Sequence, residues 1–399
     1  MPARFFFMRI LHVYKSYYPD SFGGIEQVIF QLSRGLHGLG AESRILTLSA
    51  DASPAVLLRP EGQVHRFKTT AEVASNPVSL SALRAFRQQV EWADVVHYQF
   101  PWPFGDLLHV LRGGRRPSLV TYQSDIVRQK YWLEAYRPLM RRFLGSMDAV
   151  VATSPNYVAS SPVLARLNRK IDVVPNGIDE QIIPALDAAA VERWRGKLGQ
   201  GFFLFVGVLR YYKGIHVLLE AARQVRRPVV VAGAGPELQA LKARAASLGL
   251  DHVHFVGEVT DVDKVALYTL ADAFVFPSNL RSEAFGMSLA EAALFGKPMI
   301  SCEIGTGTSF INEDGVTGWT IPPDDAQALA RAMQSFIDDP ARMGRMGQAA
   351  RRRFESMFTG RSMAAAYMKI YQRIADAKAA QARPAHEDTH SSSIRNQYE

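Results

Sequence analysis

The chain has 399 residues, of which 48% are hydrophobic and 21% charged, a composition typical of a globular protein in water. Its length exceeds what one hydrophobic core usually organises, so we expect two domains. No segment approaches the roughly 20 consecutive apolar residues that a membrane span needs. The single cysteine, Cys302, excludes an internal disulfide and predicts a reducing, cytoplasmic location without a zinc cluster.

Positive charge is concentrated in the first half of the chain. The formal net charge is +8, and residues 1–180 contain 21 Lys plus Arg against 15 Asp plus Glu. A basic surface attracts anionic partners such as phosphates, lipid headgroups or nucleic acid. Charge alone does not choose among these partners.

Short apolar runs alternate with amphipathic helical patterns along the whole chain. The opening stretch, MPARFFFMRILHVYK, lacks the cleavage region of a signal peptide, so we expect no leader, with Met8 as a second candidate start. One series of runs begins at RILHVY (9–14) and ends at IDVVP; a second extends from FFLFVG (202–207) to KPMISC (297–302). Continuous rather than alternating apolar runs indicate parallel strands buried on both faces. The two series predict an α/β chain with two doubly wound, Rossmann-like parallel-sheet domains.

A turn-rich, polar link separates the two series. Pro175 and the Asn176-Gly177 pair favour a turn at the end of the first series. We predict a first domain over 1–180, a second domain over 181–359, a final helix over 360–380 and a disordered polar tail over 381–399. Parallel sheets bind ligands beyond the carboxyl ends of their strands. Two facing domains therefore predict a site in the cleft between them.

Gly23 and Gly24 follow the first predicted strand and open a helix. Backbone N–H groups at such a point can meet a phosphate or an acceptor oxygen. A turn is the usual explanation of a bare Gly-Gly pair. The position after strand one favours the binding interpretation.

His97 and Trp102 belong to the segment DVVHYQFPWPFGD. His97 is predicted to end a strand on the cleft side, where it is either a site residue or a structural histidine. The aromatic run around Trp102 either lines an acceptor channel or packs as a proline-stiffened loop. We favour the channel.

A basic amphipathic helix is predicted over residues 125–145. Its cations include Arg128, Lys130, Arg141 and Arg142, and aromatic residues such as Tyr131 and Trp132 lie among them. This pattern is typical of a helix on an anionic membrane surface, although an ordinary surface helix has the same periodicity. We expect no nucleic-acid partner, because no recognition motif accompanies the charge.

The segment FVGVLRYYKG ends a strand and opens a helix in the second domain. Arg210 and Lys213 lie in the intervening loop, directly before Gly214. Two cations beside a helix amino end suit a diphosphate, which needs charge-assisted donors as it leaves. A solvated loop is the alternative.

Two glutamates flank the next strand–helix turn, in the segment RSEAFGMSLAEA. Phe285, Gly286 and Met287 offer backbone N–H groups at the positive helix end, which favours a phosphate. Glu283 precedes this turn and Glu291 lies inside the helix; carboxylates accept hydrogen bonds from hydroxyl groups. A ligand with hydroxyls at both ends and phosphate in the middle fits, and a nucleotide sugar is such a ligand.

The motif EAFGMSLAEA resembles the E-x7-E signature of retaining glycosyltransferases of family 4, which have the two-domain GT-B fold. GGIEQVIFQL, VVPNGID, VGVLRYYKG and PSNLRSEAFG stand in the family's order, so the resemblance covers roughly residues 9–375. The segments HYQFPWPFGDLLHVL, TYQSDIVRQKYW and CEIGTGTSFIN are similar to bacterial mannosyl- and rhamnosyltransferases of O-antigen or exopolysaccharide synthesis. The resemblance implies a GDP-sugar donor, a polyprenyl-diphosphate-linked glycan acceptor, no cofactor and no metal.

The resemblance also implies roles for individual residues. The glycine loop contacts the distal phosphate, the basic pair the diphosphate, Glu283 the sugar and Glu291 the ribose, with Glu258 at the position that holds the base. The implied donor-site residues are Gly23, Gly24, Arg210, Lys213, Glu258, Glu283, Phe285, Gly286, Met287 and Glu291. The final helix is expected to pack back on the first domain.

Two positions depart from the family pattern. Its arginine directly after Val-Gly is Val208 here, with Arg210 two residues later, and its histidine in T-Y-H-S-D-I is Gln123. Glutamine can bond a sugar hydroxyl but cannot act as an acid or base. The family's retaining mechanism needs little acid/base work from the protein, so we keep Gln123 among the catalytic candidates and add Asp125 on the acceptor side.

We expect a retaining hexosyltransferase, peripheral on the inner face of the cytoplasmic membrane, that uses a GDP-linked mannose or deoxymannose. Two alternatives stay open: another GT-B class, such as a nucleotide-sugar 2-epimerase or a phosphorylase, and a non-catalytic nucleotide-sugar-binding partner. An epimerase needs acid and base residues over both domains and a phosphorylase a cofactor lysine, and neither pattern is present. Gln123 motivates the non-catalytic alternative.

Overall fold

The computed structural model describes residues 7–73, 76–114, 116–126 and 130–382. The first domain contains an eight-stranded sheet of order β10-β9-β8-β7-β1-β2-β4-β3, parallel except for β3 on its edge. Its strands are β1 (Arg9–Val13), β2 (Glu42–Ser49), β3 (Val56–Arg59), β4 (Gly62–Lys68), the separate hairpin of β5 (Ala71–Val73) and β6 (Asn76–Val78), β7 (Val95–Phe100), β8 (Ser118–Tyr122), β9 (Ala149–Ala152) and β10 (Asp172–Val173). The helices of this domain are α1 (Gly24–His37), α2 (Leu80–Trp92), α3 (Pro103–Arg112), α4 (Lys130–Ser146) and α5 (Pro155–Ser160).

The second domain contains a six-stranded, fully parallel sheet of order β13-β12-β11-β14-β15-β16. Its strands are β11 (Phe202–Val206), β12 (Val229–Ala232), β13 (Val253–Gly257), β14 (Ala271–Phe276), β15 (Met299–Cys302) and β16 (Gly318–Ile321). Its helices are α6 (Ala188–Leu198), α7 (Ile215–Ala222), α8 (Leu238–Ser247), α9 (Asp261–Leu270), α10 (Met287–Leu294), α11 (Gly307–Ile311), α12 (Ala326–Asp338) and α13 (Pro340–Met357). The predicted pair of doubly wound parallel sheets is confirmed.

The two central strands of the second sheet have no exposed residue, because helices cover both faces. All five residues of β11 are buried, and in β14 only Asp272 is not fully buried. Such strands need apolar side chains in both directions, which is why their sequences run without alternation. The core of the second domain is one continuous cluster built on these strands.

The last helix, α14 (Gly360–Ala382), returns to the first domain. Met363, Tyr367 and Tyr371 are buried there in one cluster with Ile10 of β1 and Leu32 of α1. The chain thus passes between the domains twice, and the two crossing segments are hydrogen-bonded to each other. The N–H of Ile178 donates to the Phe358 carbonyl at 2.8 Å, and the N–H of Gly360 donates to the Ile178 carbonyl at 2.7 Å. A Cβ on Gly177 would lie 2.3 Å from the Thr359 carbonyl oxygen, so this crossing requires glycine.

Two predicted segments lie partly outside the residues that the structure describes. The basic helix predicted over 125–145 runs from Lys130 to Ser146 as α4, while Asp125 and Ile126 precede it as a loop. Arg128 and the side chains of Lys130, Tyr131 and Trp132 lie outside the described residues, as do residues 383–399 of the predicted tail. Within the described ranges, no helix combines the length and apolar character that crossing a membrane requires.

Candidate active site

A cleft of about 950 Å³ opens between the two domains, at the carboxyl ends of strands from both sheets. Ten of the residues predicted for the site line it: Gly23, Gly24, Gln123, Arg210, Lys213, Glu283, Phe285, Gly286, Met287 and Glu291. Four do not: His97, Trp102, Asp125 and Glu258. The cleft is therefore the candidate active site.

Helix α10 begins at the cleft wall that the second domain forms. Gly286 precedes it with φ of 94°, a left-handed conformation that glycine adopts without strain. The amides of Leu289 and Ala290 both bond the Gly286 carbonyl, whereas Met287 and Ser288 line the cleft with their N–H groups at the positive helix end. An anionic group in the cleft would be stabilised here.

Glu283 and Lys213 form an ion pair in this wall. The Lys213 ammonium donates to the Glu283 carboxylate at 2.5 Å, and the side chains are only 12% and 11% exposed. The Ser278 hydroxyl also donates to this carboxylate, at 3.4 Å. Burial, reinforced by the Glu283 charge, raises the pKa of neighbouring Tyr212 to about 12. A bound diphosphate would compete with Glu283 for Lys213 and release the carboxylate to accept from other groups.

A short 3-10 turn, Tyr211–Lys213, carries Lys213 to this position, and Arg210 precedes it. The next residue, Gly214, has φ of 67°, and a Cβ there would lie 1.9 Å from the Pro277 carbonyl oxygen. The turn can therefore approach the end of β14 only with glycine. Arg210 is exposed in the cleft, and within the described ranges it has no ion pair.

Glu291 belongs to a second lysine–carboxylate pair, one turn inside α10. It accepts from the Lys264 ammonium at 2.9 Å and from the Tyr268 hydroxyl at 3.3 Å, both on α9. Burial alone would lower the pKa of Lys264, but the charge and hydrogen bond of Glu291 outweigh it and raise that pKa. The pair fixes the Glu291 carboxylate at the cleft edge, where it can accept from hydroxyl groups.

The first domain contributes a different wall. Gly23 and Gly24 open α1, and the Glu26 carboxylate behind them accepts from the hydroxyls of Ser16 and Ser21, both at 2.8 Å. Tyr18 and Phe22 line the cleft beside them with ring centroids 5.1 Å apart. Phe22 is 78% exposed, although it is a large apolar side chain. Exposed rings at a cleft mouth can stack on a ligand.

Gln123 lies at the end of β8, buried at the floor of the cleft. Its Nε2 donates to Oε1 of Gln99 at 2.9 Å, and Nε2 of Gln99 lies 3.2 Å from Nε2 of His97. His97 bonds the Tyr371 hydroxyl at 2.8 Å and the Thr121 hydroxyl at 2.7 Å. A chain of buried hydrogen bonds thus runs from Gln123 to α14. The bond to Gln99 uses one of the two N–H groups of Nε2, so the other N–H and the carbonyl oxygen of Gln123 can meet a ligand.

His97 and Trp102 are structural residues, which corrects the prediction that they line the cleft. β7 extends to Phe100, so His97 lies in its middle beneath α14, and burial lowers its pKa well below the ordinary histidine value. Trp102 precedes α3, is 1% exposed and donates from its indole N–H to the Pro77 carbonyl at 3.3 Å. Neither side chain can reach a ligand in the cleft.

Asp125 and Glu258 do not line the cleft; Asp125, predicted on the acceptor side, lines a neighbouring cavity of the first domain. Asp125 accepts from the Tyr122 and Ser161 hydroxyls at 2.8 and 2.7 Å and pairs with Arg281 of the second domain at 2.9 Å. It therefore links the two domains. Glu258 is exposed beyond the end of the edge strand β13.

Several cleft residues were missed by sequence reasoning. Lys264, Asp261, Tyr18 and Phe22 line the cleft from α9 and from the loop before α1. Lys264 and Asp261 open a helix after the strand HVHFVG, and this position after a strand end could have predicted them as site residues. For Tyr18 and Phe22, the sequence offers no indication of a site other than their nearness to Gly23. Within the described ranges, no cluster of three or more His, Cys, Asp or Glu side chains could hold a metal ion.

Two family profiles match the chain, one for each domain. "Glycosyltransferase Family 4" matches residues 22–182, and "Glycosyl transferases group 1" matches residues 190–353. The fold and the cleft define a GT-B glycosyltransferase, as structural neighbours confirm. Sucrose-phosphate synthase from Thermosynechococcus elongatus aligns with a TM-score of 0.75 and 22% identity, over 93% of this chain and 100% of the other. HepE of Anabaena, in complex with UDP and glucose, aligns with a TM-score of 0.74 and 18% identity, over 92% and 100%.

Curated relatives are considerably more similar in sequence. D-rhamnosyltransferase WbpZ of Pseudomonas aeruginosa is 51% identical over 352 residues, which are 88% of this chain and 92% of the relative. O-antigen chain mannosyltransferase C of Escherichia coli is 47% identical over 371 residues, 93% of this chain and 100% of the relative. The chain belongs to family 4 of the glycosyltransferases. The predicted family, the fold and the similarity to mannosyl- and rhamnosyltransferases of the O-antigen are confirmed.

Proposed function

We propose that this glycosyltransferase moves a mannosyl or rhamnosyl residue from a GDP-sugar to a lipid-linked glycan during O-antigen or related polysaccharide synthesis, with retention of the anomeric configuration. The observation that carries the proposal is the 51% and 47% identity to a rhamnosyl- and a mannosyltransferase over nearly the whole chain. The donor cleft, with its two lysine–glutamate pairs, supplies the matching chemistry.

The second-domain wall suits the charged part of a nucleotide sugar. The diphosphate would lie at the amino end of α10, between its N–H groups and the cations of Arg210 and Lys213. As Lys213 turns to the diphosphate, Glu283 would accept from hydroxyls of the sugar. Glu291 would accept from the ribose hydroxyls.

The transfer step follows from these positions. The bond between the sugar C1 and the diphosphate oxygen breaks while the acceptor oxygen bonds C1 from the same face. The acceptor's proton passes to the leaving diphosphate oxygen, so no side chain has to act as a base. Arg210, Lys213 and the α10 amides stabilise the developing negative charge. The step needs no further cofactor, because these groups supply the positive charge.

Gln123 would orient the sugar rather than exchange protons. Its carbonyl oxygen can accept from a sugar hydroxyl, and the amide N–H that is not bonded to Gln99 can donate to one. Glutamine cannot give or take a proton, but the proposed retaining step needs no proton transfer by a side chain. Glutamine in place of the family histidine is therefore compatible with this step.

Asp261 supports guanine as the base. It lines the cleft, and its carboxylate lies 3.2 Å from the Lys264 ammonium, beside the ribose position proposed at Glu291. Guanine presents two adjacent N–H donors on its pairing edge, and one carboxylate accepts both. Adenine offers a carboxylate only one donor on that edge.

We further propose that the first domain contacts an anionic membrane surface through α4. The exposed cations Arg141 and Arg142 lie on this helix, and buried apolar residues such as Phe143 and Leu144 anchor its other face. Cationic helices of this kind bind anionic lipid headgroups. A lipid-linked acceptor would be reached from that surface, on the cytoplasmic side.

The test measures donor binding and then transfer. Thermal unfolding of the full chain is followed with GDP, UDP, ADP and their sugar conjugates, because a bound nucleotide raises the midpoint by mass action. We expect a selective rise with GDP and GDP-mannose, and transfer from GDP-mannose or GDP-rhamnose to a lipid-diphosphate glycan with an α product by NMR. A selective rise with UDP or ADP would overturn the donor assignment. Binding of GDP-mannose without transfer to any such acceptor would favour a non-catalytic protein.

A further inference from the structure

A second large cavity, of about 890 Å³, lies in the first domain beside the cleft. It opens between α4 and the segment 162–169 that follows α5. Its apolar lining includes Met140 and Leu144 of α4 and Val163 and Leu167 of the facing segment. None of the steps proposed above uses this cavity.

Arginines surround the apolar lining. Arg141, Arg166 and Arg281 line the cavity, as do Arg137 and Arg169. Arg141 and Arg166 are exposed, and neither guanidinium has an ion pair or hydrogen bond to any residue that the structure describes. Asp125 is the one carboxylate among the lining residues, and Arg281 neutralises it at 2.9 Å. The cavity therefore combines an apolar interior with net positive charge at its rim.

The cavity adjoins the donor cleft along two segments. At the end of β8, Tyr122 and Asp125 line the cavity, while Gln123 and Ser124 line the cleft. After β14, Arg281 lines the cavity, while Ser282 and Glu283 line the cleft. Residues two positions apart are at most about 7 Å apart. The cavity and the cleft therefore share walls at the ends of β8 and β14, beside Gln123 and Glu283.

We propose that this cavity binds the lipid diphosphate of the acceptor. Arg141 and Arg166 hold the diphosphate through charge-assisted hydrogen bonds, and the first isoprenoid units cover Met140, Leu144 and Leu167. The identity of the occupant rests on the proposed function. The cavity's own chemistry, cations around an apolar concavity, independently requires an anionic amphiphile.

Other occupants fit this chemistry less well. A free phosphate or diphosphate would satisfy the arginines but leave the apolar interior in water. A flat bilayer surface would meet the exposed cations of α4 without filling a concavity of this size. An isoprenoid diphosphate matches both features at once.

The test uses farnesyl diphosphate as the probe and the full chain as the protein. Isothermal titration calorimetry compares farnesyl diphosphate with inorganic diphosphate for the wild type and for R141A/R166A. Both arginines are exposed, so their loss leaves the fold intact. The control is R84A/K170A, which removes two exposed cations of the same domain outside the cavity. A third variant, Leu167→Asn, tests the apolar lining.

We expect R141A/R166A to weaken farnesyl diphosphate binding by on the order of tenfold to 100-fold, because hydrogen bonds to charged groups are lost. R84A/K170A should leave it unchanged, and Leu167→Asn should weaken farnesyl but not inorganic diphosphate. GDP binding, measured by thermal shift on the same samples, should persist in all variants. Absence of GDP binding with intact farnesyl diphosphate binding would overturn the proposed function but not this site.

Four results would overturn the site. These are no binding of farnesyl diphosphate to the wild type, equal weakening in R84A/K170A, inorganic diphosphate binding as tightly as the lipid, and displacement of farnesyl diphosphate by GDP. Binding of the protein to phosphatidylglycerol vesicles through Arg141 and Arg166, without binding of farnesyl diphosphate, would instead assign these arginines to the membrane surface.

Discussion

The two walls of the cleft differ in chemistry. The second domain contributes two lysine–glutamate pairs, Lys213–Glu283 and Lys264–Glu291, and the amino end of α10. The first domain contributes mainly glycine backbone, aromatic rings and the amide of Gln123; its cation in the cleft, Arg59, is paired with Glu61 at 2.8 Å. The charged side chains that could bind a ligand in place of their present partners are therefore concentrated on the wall formed by the second domain.

In the proposed reaction, the two walls of the cleft have different roles. The cations of the second domain, Lys213 and Lys264, are paired with glutamates and can bind and polarise a diphosphate. The uncharged wall can shape and orient but cannot stabilise a developing charge to the same degree. Variants on the two walls should therefore differ both in size of effect and in the kinetic constant affected.

The largest effect is expected for Glu283→Gln. If Glu283 accepts from the sugar hydroxyls as proposed, loss of the carboxylate removes those hydrogen bonds, so kcat should fall about 100-fold or more. Lys213 loses its partner and becomes available to the diphosphate, so GDP affinity should be unchanged or higher. Steady-state kinetics and GDP titration measure both quantities. Glu258→Gln, an exposed carboxylate outside the cleft, is the matched control. If GDP affinity fell as much as kcat, Glu283 would act on the diphosphate as well as on the sugar. That result would contradict the proposed division of roles between Glu283 and the diphosphate-binding cations.

A smaller effect on a different constant is expected for Arg210→Ala. Arg210 has no ion pair within the described ranges, so its removal leaves no charge unpaired. Loss of one charge-assisted contact to the diphosphate should weaken GDP binding about tenfold. Calorimetry against Lys242→Ala, an exposed cation of α8, measures the difference. Unchanged GDP affinity would leave the diphosphate to Lys213 and the α10 amides.

Glu291→Gln should change selectivity between ribose and deoxyribose. If Glu291 accepts from the ribose hydroxyls, the wild type binds GDP several-fold more tightly than 2′-deoxy-GDP, because a missing hydroxyl leaves the carboxylate with one partner fewer. In the variant this preference should shrink to about twofold or less. Competition titrations with the two nucleotides provide the measurement. A preserved preference would remove Glu291 from the ribose site.

The smallest effect is expected on the uncharged wall. Gln123→Ala should lower kcat by about tenfold or less and leave GDP affinity unchanged, because one neutral hydrogen bond is lost. Gln99→Ala, which removes the residue that orients Gln123, should reproduce part of that loss without contacting the donor. If Gln123→Ala lowered kcat as much as Glu283→Gln, the proposed difference between the two walls would be wrong, because the first domain would then contribute as much to the transfer step.

Much of the fold could be predicted from the sequence, and ten of the predicted site residues line the cleft. Continuous apolar runs predicted both parallel sheets, because strands buried on both faces admit few polar residues. Glu283 and Glu291 were found because a glycine and a helix start separate them, which fixes where each carboxylate lies. In each case a local pattern determined the geometry.

The errors have a different origin. A position near a strand end predicts the correct edge of a sheet but not the direction of the side chain. His97 was misassigned because α14, 274 residues further along the chain at Tyr371, covers it. The ion pair of Asp125 was not predicted because its partner, Arg281, comes from the other domain. Long-range pairs of this kind leave no local signal.

The return of α14 has a consequence for synthesis on the ribosome. The first sheet is complete in sequence once Val173 has been made, but its face toward α1 lacks Met363, Tyr367 and Tyr371 until residues 360–382 have been made. The second domain, residues 188–357, is made in between and has its own core. The nascent chain thus carries an uncovered apolar face while the second domain folds. A protein cut after residue 182 would retain that face permanently, so the first domain should fold alone only if residues 360–382 are supplied to it.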